Sequence, residues 1–252
     1  MKLEATLNDR GAELRLNDPP RNMLTPELLN GILEALERFR AAGSPVLLLA
    51  SRGKHFSTGY PIDAIPESIF HADASVRDRD PFQRVMNELA RYESPIVASI
   101  QGDAYGGAIE LLSCADIRIG VEGSRFALPS VRLGLVYSHS GIRRLASRLG
   151  AALTREMLLT GSAISARRAF EEGFLNRLVP QEKIEEETQT VLEEIGKGTD
   201  LALRGTRRLL NLLDESESLP PEILDEVAAI RHEAYCSPQS QQAREEFGKR
   251  NR

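Results

Sequence analysis

The sequence is poor in the residues that build disulfide frameworks and metal sites. Cys114 and Cys236 are its only cysteines, and neither belongs to a CxxC pair or to a spacing typical of zinc ligands. Its four histidines form no HExxH-like pair. We therefore expect neither a disulfide framework nor a bound metal.

Long apolar runs and dense basic clusters are also missing. The longest apolar run, PVLLLA at residues 45–50, is far too short to span a bilayer, and the N-terminal MKLEATLNDR lacks the apolar stretch of a signal peptide. The formal net charge is -5, and no Lys/Arg cluster marks a nucleic-acid contact surface. We expect a cytoplasmic protein that binds neither a membrane nor a nucleic acid.

What is present is the composition of an ordinary globular protein, with 41% hydrophobic and 27% charged residues over 252 positions. Two short apolar segments, 3–7 and 12–16, are predicted to form an edge hairpin. Thr25 followed by Pro26 is typical of a helix start, and apolar residues recur at helical spacing until near Gly43.

The continuous apolar run 46–50 predicts a strand buried on both faces, 95–100 predicts a second buried strand, and 115–119 a third apolar strand. Because helical segments separate these runs, the pattern predicts repeated ββα or βαβ units and an α/β fold. After residue 140 the pattern is mostly helical, apart from an extended piece at 175–179.

The same pattern divides the chain into two parts. Residues 1–195 are predicted to form the core, and residues 196–252 a C-terminal helical region. Within the core, residues 63–80 show no sustained period and are predicted to form a surface loop or a frayed helix. A functional lid is the alternative for this segment.

The most informative segment is QGDAYGGAIELLSCAD, at residues 101–116. Gly106 and Gly107 precede an apolar helix, and Glu110 falls in its first turn. Paired glycines let a ligand approach the backbone, and the first N–H groups of a helix have no partner inside it. The segment therefore predicts a backbone N–H donor to an oxyanion. The alternative is a tight turn that requires glycine for its backbone conformation.

A second glycine-bearing loop, RGKHFSTGY at residues 52–60, follows the preceding buried strand. Ligands tend to lie where the strands of an α/β sheet end. If both loops meet at one crevice, they supply two donors.

Together the two loops resemble a known family. A GKxFSxG-type loop followed by a QGxxxGGAxELxxCADxR-type segment is similar to the crotonase (enoyl-CoA hydratase/isomerase) superfamily. Three further stretches occur in the matching order: PPRNMLTPEL, FALPSVRLGL and LLTGSAISARRAFEEGFLNRLVP. The resemblance implies an α/β fold with a crotonase-like ββα superhelix as its core, and an acyl-CoA thioester as substrate.

The resemblance also implies roles for individual residues. In similar enzymes the residue after the last glycine of the first loop and the second glycine of the pair donate N–H groups to the thioester oxygen; here these are Tyr60 and Gly107. Glu110 matches the first catalytic glutamate, which activates water or moves a proton. The alternative for Glu110 is a carboxylate favoured near a helix N-terminus. The implied activity is that of an enoyl-CoA hydratase/isomerase, without a cofactor apart from the coenzyme A of the substrate.

Two departures from the family pattern leave the reaction open. The second catalytic carboxylate should follow the proline of FALPSVRLGL, where this chain has Ser130, a poor proton donor. Tyr137 or His139 is a candidate replacement, with a helix cap formed by Ser138 or Ser140 as the alternative. Decarboxylation or hydrolysis of an acyl-CoA therefore remains possible, as does a catalytically silent homologue that binds acyl-CoA or RNA.

Substrate-binding residues are predicted from both loops and from the N-terminal segment. Lys54 and Arg21 are candidates to meet the CoA phosphates, with plain solvation as the alternative. The other predicted substrate-binding residues are Met23, Ser57, Gly59, Gly106, Ser130 and Tyr137. The resemblance further implies a homotrimer or a dimer of trimers, with the C-terminal helical region at the subunit contact.

Overall fold

Strands and helices alternate along the chain. The computed structural model describes residues 2–9, 11–61, 80–215 and 238. The strands are β1 (Leu3–Asn8), β2 (Gly11–Leu16), β3 (Leu47–Ser51), β4 (His55–Ser57), β5 (Ile96–Ile100), β6 (Asp103–Tyr105), β7 (Ile117–Val121), β8 (Arg125–Ala127), β9 (Ile164–Ser165) and β10 (Arg177–Val179). The α-helices are α1 (Pro26–Ala41), α2 (Pro81–Ala90), α3 (Gly107–Leu112), α4 (His139–Leu149), α5 (Ala151–Thr160), α6 (Ala166–Glu171), α7 (Ile184–Gly196) and α8 (Asp200–Glu215), and 3-10 helices occupy Pro129–Leu133 and Gln181–Lys183.

Two of the predicted segments fall largely outside this description. The segment predicted to be a surface loop or lid, 63–80, lies outside the described residues except for Asp80. The predicted C-terminal helical region is described as far as residue 215, and at Pro238.

The strands form two sheets within the described residues. The six-stranded sheet has the order β1-β2-β3-β5-β7-β10, in which β1 and β2 are antiparallel and all other neighbours are parallel. The four-stranded sheet has the order β4-β6-β8-β9, in which β9 alone is antiparallel to its neighbour. Along the chain β3, β5 and β7 are each followed by a strand of the smaller sheet, and α2 and α3 follow the first two pairs. This arrangement confirms the predicted α/β fold with ββα repeats.

The central strands β3, β5 and β7 of the larger sheet are largely buried, and most of their residues are apolar. Four of the five residues of β5 are buried, and Ser99 is the exception. The structure places β3, β5 and β7 one or two residues later than predicted at their start. The strands of the smaller sheet were not predicted, because two or three residues are too few to show a period.

Helix α1 begins where the sequence predicts. The hydroxyl of Thr25 accepts a hydrogen bond from the Leu28 amide at 3.3 Å, and Pro26 is the first helical residue. The helix packs against α2 and ends at Ala41, two residues before Gly43. Its buried face consists of Leu28, Leu29, Ile32, Ala35, Leu36 and Phe39.

The smaller sheet brings two segments of the chain together. Strands β4 and β6 are parallel neighbours, with Ser57 opposite Ala104. Because parallel strands end at the same edge of a sheet, residues 58–60 and 106–107 leave that edge side by side. These are the two glycine-bearing loops singled out in the sequence.

The chain divides into two compact units. The first is formed by Met1–Tyr92 and Ile96–Gln189, and the second by Glu93–Pro95 and Thr190–Arg252. The first unit contains both sheets. In the second, α8 carries buried Arg207 and Leu212 and exposed Leu210 and Leu213. None of the helices in the described ranges has an apolar stretch long enough to cross a membrane.

Candidate active site

A cavity of about 210 Å³ opens where the two loops leave the smaller sheet. Most of its wall is apolar or aromatic, and among the described residues Asp80 and Glu110 are the carboxylates that line it. The lining residues are Thr58, Tyr60, Asp80, Phe82, Gln83, Tyr105, Gly106, Gly107, Glu110, Pro129, Ser130, Leu133, Leu135, Val136, Tyr137 and Ser138. Within the same described ranges, no group of three or more His, Cys, Asp or Glu side chains is placed to hold a metal ion.

The glycine-bearing loop at residues 52–60, which includes β4, is held by the N-terminal segment. Asn22 is fully buried, and its side-chain amide donates to the carbonyl oxygens of Arg52 at 2.7 Å and His55 at 2.9 Å. The backbone of Asn22 has a φ of 48°, a conformation that asparagine tolerates better than most residues. The Thr58 amide donates to the Arg21 carbonyl oxygen at 2.9 Å, so the loop is tied at both ends.

Gly59 permits this loop to approach the second one. Its amide donates to the Ser57 hydroxyl at 3.0 Å, and its carbonyl oxygen accepts from the Leu24 amide at 3.0 Å. Gly59 has a φ of 87°. A β-carbon placed on it would lie 2.4 Å from the Tyr105 carbonyl oxygen and 3.1 Å from the Gly107 amide nitrogen. No side chain fits there, so glycine is required for the two loops to meet.

Tyr60 and Gly107 lie side by side in the cavity wall. A β-carbon placed on Gly107 would lie 3.5 Å from the Tyr60 amide nitrogen and 3.0 Å from the Phe82 ring. The Gly106 amide is occupied, because it donates to the Ala127 carbonyl oxygen at 2.9 Å. By contrast, the amides of Tyr60 and Gly107 have no hydrogen-bond partner within the part of the chain that the structure describes.

Glu110 lies one turn into α3 and is 2% exposed. Its carboxylate forms a hydrogen-bonded ion pair with Arg144 of α4. Helix α4 comes this close because Gly141 has no side chain: a β-carbon there would lie 3.1 and 3.2 Å from the two carboxylate oxygens. The ion pair therefore depends on two features of α4 that lie three residues apart.

The electrostatic surroundings of Glu110 suit proton transfer. Burial raises the pKa of its carboxyl group, and the charge of Asp80 adds to this effect. The contact with Arg144 opposes both influences. A carboxyl group whose pKa moves from its usual range toward neutrality is suited to act as an acid and as a base at neutral pH.

Tyr137 and Ser130 also line the cavity, and their role in substrate binding stays a prediction. The Tyr137 hydroxyl lies 3.9 Å from the position of a β-carbon on Gly106. Burial and the nearby charge of Glu110 raise the pKa of Tyr137 above its ordinary value. The Ser130 hydroxyl has no hydrogen-bond partner among the described residues, so it is available to a ligand.

The structure does not bring His139 into the cavity. His139 is the first residue of α4, and its side chain is exposed. The preceding Ser138 caps this helix, since its hydroxyl accepts from the Gly141 amide at 3.1 Å. Ser138 therefore forms the helix cap that was one alternative for this segment, whereas Tyr137 lines the cavity.

The basic residues predicted to meet CoA phosphates lie outside the cavity lining. The side chains of Arg21 and Lys54 are exposed and make no hydrogen bond or ion pair with described residues. Met23 is half-buried next to Leu24, whose amide contacts the loop. Their roles in substrate binding stay predictions.

Comparison with known proteins places this geometry in a family. The model of the enoyl-CoA hydratase/isomerase family matches residues 8–244. The chain belongs to this family.

Relatives of this family member are named for different reactions. Methylmalonyl-CoA decarboxylase of Escherichia coli K12 is 26% identical over 90% of this chain and 86% of its own length. Carnitinyl-CoA dehydratase of Salmonella typhi is 28% identical over 84% of this chain and 81% of its own. The crystal structure of an enoyl-CoA hydratase from Mycobacterium smegmatis shares the fold, with a TM-score of 0.85 at 20% identity over 99% of this chain and 97% of that chain.

Three residues that line or support the cavity were not identified from the sequence: Asp80, Arg144 and Asn22. Asp80 followed by Pro81 is a helix-start pattern, yet the pattern predicts only a cap and not a place in the cavity wall. Arg144 lies on a helix with several arginines, and its pairing with Glu110 leaves no local mark in the sequence. The same holds for Asn22, whose side-chain amide nitrogen donates to carbonyl oxygens thirty or more residues away.

Proposed function

We propose that this protein adds water to the double bond of an enoyl-CoA, or shifts that double bond, by holding a thioester enolate between two backbone amides. The proposal rests on the amides of Tyr60 and Gly107, which lie side by side and have no hydrogen-bond partner among the described residues. Both residues line the same cavity as the buried Glu110. Membership of the enoyl-CoA hydratase/isomerase family supports the substrate class.

In this proposal the Tyr60 and Gly107 N–H groups donate to the thioester carbonyl oxygen. That oxygen gains negative charge as the enolate forms, so the two hydrogen bonds are stronger in the transition state than in the ground state. Loss of one such donor costs about 3 kcal/mol of transition-state stabilisation in comparable sites. The ring of Tyr60, which packs edge-on against Phe82 at 5.7 Å, shapes the neighbouring wall for the acyl group.

Glu110 moves the proton. As a carboxylate it takes a proton from the water that attacks the β-carbon, or from the carbon next to the double bond in an isomerisation. We propose no cofactor apart from the coenzyme A of the substrate, with Lys54 and Arg21 near its phosphates. Arg144 holds the carboxylate in place through the ion pair.

Two variants test the assignment of Glu110. We expect Glu110→Gln to lower kcat for hydration of crotonyl-CoA by about 10²–10⁴-fold, because the amide cannot accept the proton. His139→Ala should stay near wild type, because the exposed His139 does not line the cavity. Turnover is followed by the ultraviolet absorbance of the conjugated thioester, and binding of a CoA ester by calorimetry serves as the folding control.

The opposite result would assign the proton transfer to His139 instead of Glu110. A fully active Glu110→Gln together with an inactive His139→Ala contradicts the assignment. Wild-type protein that binds CoA esters but turns over no member of a broad enoyl-CoA panel contradicts the proposed reaction itself.

A second candidate reaction is decarboxylation of a malonyl-type acyl-CoA. It is favoured by Ser130, which stands where the family resemblance implies a second carboxylate, together with the buried Tyr137 hydroxyl in the cavity wall. Loss of CO₂ also produces a thioester enolate, and it needs the two amides without a second carboxylate. The relative from Escherichia coli is named for this reaction. If the wild-type protein releases CO₂ from methylmalonyl-CoA and Tyr137→Phe does not, the result favours this candidate over hydration.

A further inference from the structure

The cavity holds a second carboxylate on the wall formed by α2. Ser130 replaces the residue that would supply a second acid or base in similar enzymes, and a serine hydroxyl is a poor proton donor at neutral pH. Among the described lining residues, the remaining carboxylate besides Glu110 is Asp80. Its position in the fold shows whether it can reach the same substrate.

Asp80 directly precedes the first residue of α2 and lines the same cavity as Tyr60 and Gly107. Two residues later, Phe82 lies 3.0 Å from the position of a β-carbon on Gly107 and packs against the Tyr60 ring. The first turn of α2 therefore forms the part of the cavity wall beside Tyr60 and Gly107. A thioester held by these amides places its α-carbon, one bond from the carbonyl carbon, close to this wall.

Asp80 also has a structural role, as the cap of α2. Its Oδ2 atom accepts from the Gln83 amide at 3.2 Å. Many side chains cap a helix equally well, among them asparagine and serine. Capping therefore explains a polar residue at this position, and it leaves the carboxylic acid in the cavity wall unexplained.

The charge of Asp80 acts on two other groups of the cavity, Glu110 and Tyr60. Burial raises the pKa of Asp80, although the hydrogen bonds of the cap lower it. The charge of Asp80 in turn raises the pKa of Glu110 and of Tyr60. The charge of Asp80 therefore makes Glu110 easier to protonate.

We propose that Asp80 is the second acid/base residue of the reaction and delivers the proton to the α-carbon, the part for which Ser130 is unsuited. The proposal rests on the proposed hydration or isomerisation of an enoyl-CoA. Tyr137 is a weaker donor, because a phenol is less acidic than a carboxylic acid and burial raises the pKa of Tyr137 further.

The steps balance as follows for hydration. The Glu110 carboxylate takes one proton from water while the water oxygen bonds to the β-carbon. The electrons of the carbon–carbon double bond move into the thioester carbonyl, and the enolate oxygen is held by the two amides. Protonated Asp80 then gives its proton to the α-carbon as the carbonyl re-forms. The enzyme is left with a protonated Glu110 and an ionised Asp80, and proton exchange through solvent restores the starting state.

Asp80→Asn and Asp80→Ser separate catalysis from capping, because both replacements keep a capping oxygen and remove the acid. We expect each variant to lower kcat for hydration of crotonyl-CoA by about 10²-fold or more, with KM and the melting temperature close to wild type. Glu88→Gln is the matched control, since it makes the same acid-to-amide change on α2 outside the cavity lining. It should leave kcat unchanged.

Exchange of the α-proton gives a readout that a structural role would not move. Wild-type protein in D₂O should exchange the α-protons of butyryl-CoA, which has no double bond to hydrate. Asp80→Asn should lose this exchange, whereas Glu110→Gln should keep it and lose hydration. Wild-type exchange rates in both Asp80 variants would overturn the role of Asp80 and leave the proposed function standing. A wild-type protein without hydration, isomerisation or exchange would overturn both.

Discussion

Opposing influences act on the carboxyl group of Glu110. Burial and Asp80 raise its pKa, and Arg144 lowers it. A buried carboxylate without a partner would take up a proton at neutral pH, whereas a fully stabilised ion pair would hold its charge too firmly to move protons. On balance the pKa of Glu110 is raised, with burial as the largest influence.

Removal of Arg144 should shift the pH dependence of the reaction. In Arg144→Met the lowering influence on Glu110 is gone while burial remains, so its pKa rises further. Because Glu110 must be ionised to accept a proton, the acidic limb of kcat/KM against pH should move to higher pH. The exposed Arg143→Met on the same helix is the control and should leave the limb in place. An unchanged limb, or a shift to lower pH, in Arg144→Met contradicts this account of the ion pair.

Gly107→Ala should disable the proposed amide pair without unfolding the chain. Its β-carbon would press on the Phe82 ring at 3.0 Å and enter the space in front of the Tyr60 amide. We expect kcat to fall by about 10²–10³-fold, the range seen when one oxyanion donor is lost. Gly31→Ala in α1 is the control, because its β-carbon would meet Leu3 at an ordinary 3.5 Å. Equal activity of both variants would show that the space in front of Gly107 is not used.

Loop position depends on segments that lie far away along the chain. The segment 52–60 contributes the Tyr60 amide, yet its shape is held by Asn22 and by the Arg21 carbonyl oxygen. Similarly, the position of Gly107 follows from the parallel pairing of β4 with β6 and from the bond between Gly106 and Ala127. The two donors are therefore placed by neighbouring strands rather than by their own side chains.

Asn22→Ala should loosen the first loop. The change leaves the carbonyl oxygens of Arg52 and His55 without this donor, and a buried unpaired polar group costs about 1–3 kcal/mol. We expect the free energy of unfolding to fall by about 2 kcal/mol or more, together with a loss of kcat/KM. Urea unfolding and crotonyl-CoA kinetics measure the two effects. The control is Asn30→Ala at an exposed position of α1, which should change the free energy of unfolding by about 0.5 kcal/mol at most. A similar loss of stability in both variants would contradict the proposed role of Asn22 in holding the loop.

Local patterns predicted part of this arrangement. The Thr25 cap, the buried central strands and the glycine pair before Glu110 follow from backbone and burial preferences of neighbouring residues. The strands of the smaller sheet were missed because they are too short to show alternation, although their pairing brings the two loops together. Their pairing depends on contacts between segments that are distant in sequence.

Across the whole chain, the assembly of subunits stays a proposal that the family resemblance supports. On α8, Leu210 and Leu213 are exposed and lie three residues apart, on the same side of the helix. Exposed leucines of this kind are available for contact with another copy of the chain.

Light scattering should therefore give a mass of three or six chains. Leu210→Glu combined with Leu213→Glu should lower this mass, because two charges would have to be buried at the contact. Leu7→Glu is the control, since Leu7 is an exposed leucine of β1. A monomer in the wild-type protein, or an unchanged mass in the double variant, would contradict a subunit contact through α8.

The sequence by itself determined the buried strands, the helix start at Thr25, the glycines of the two loops and the place of Glu110, because each depends on residues within one or two turns of one another. Only the tertiary structure decided that Arg144 pairs with Glu110, that Asp80 lines the cavity and that His139 lies outside it. These outcomes depend on how α2 and α4 pack beside α3, and packing is set by side chains of several elements at once. A catalytic role read from a motif therefore needs the fold to show which charged groups surround it.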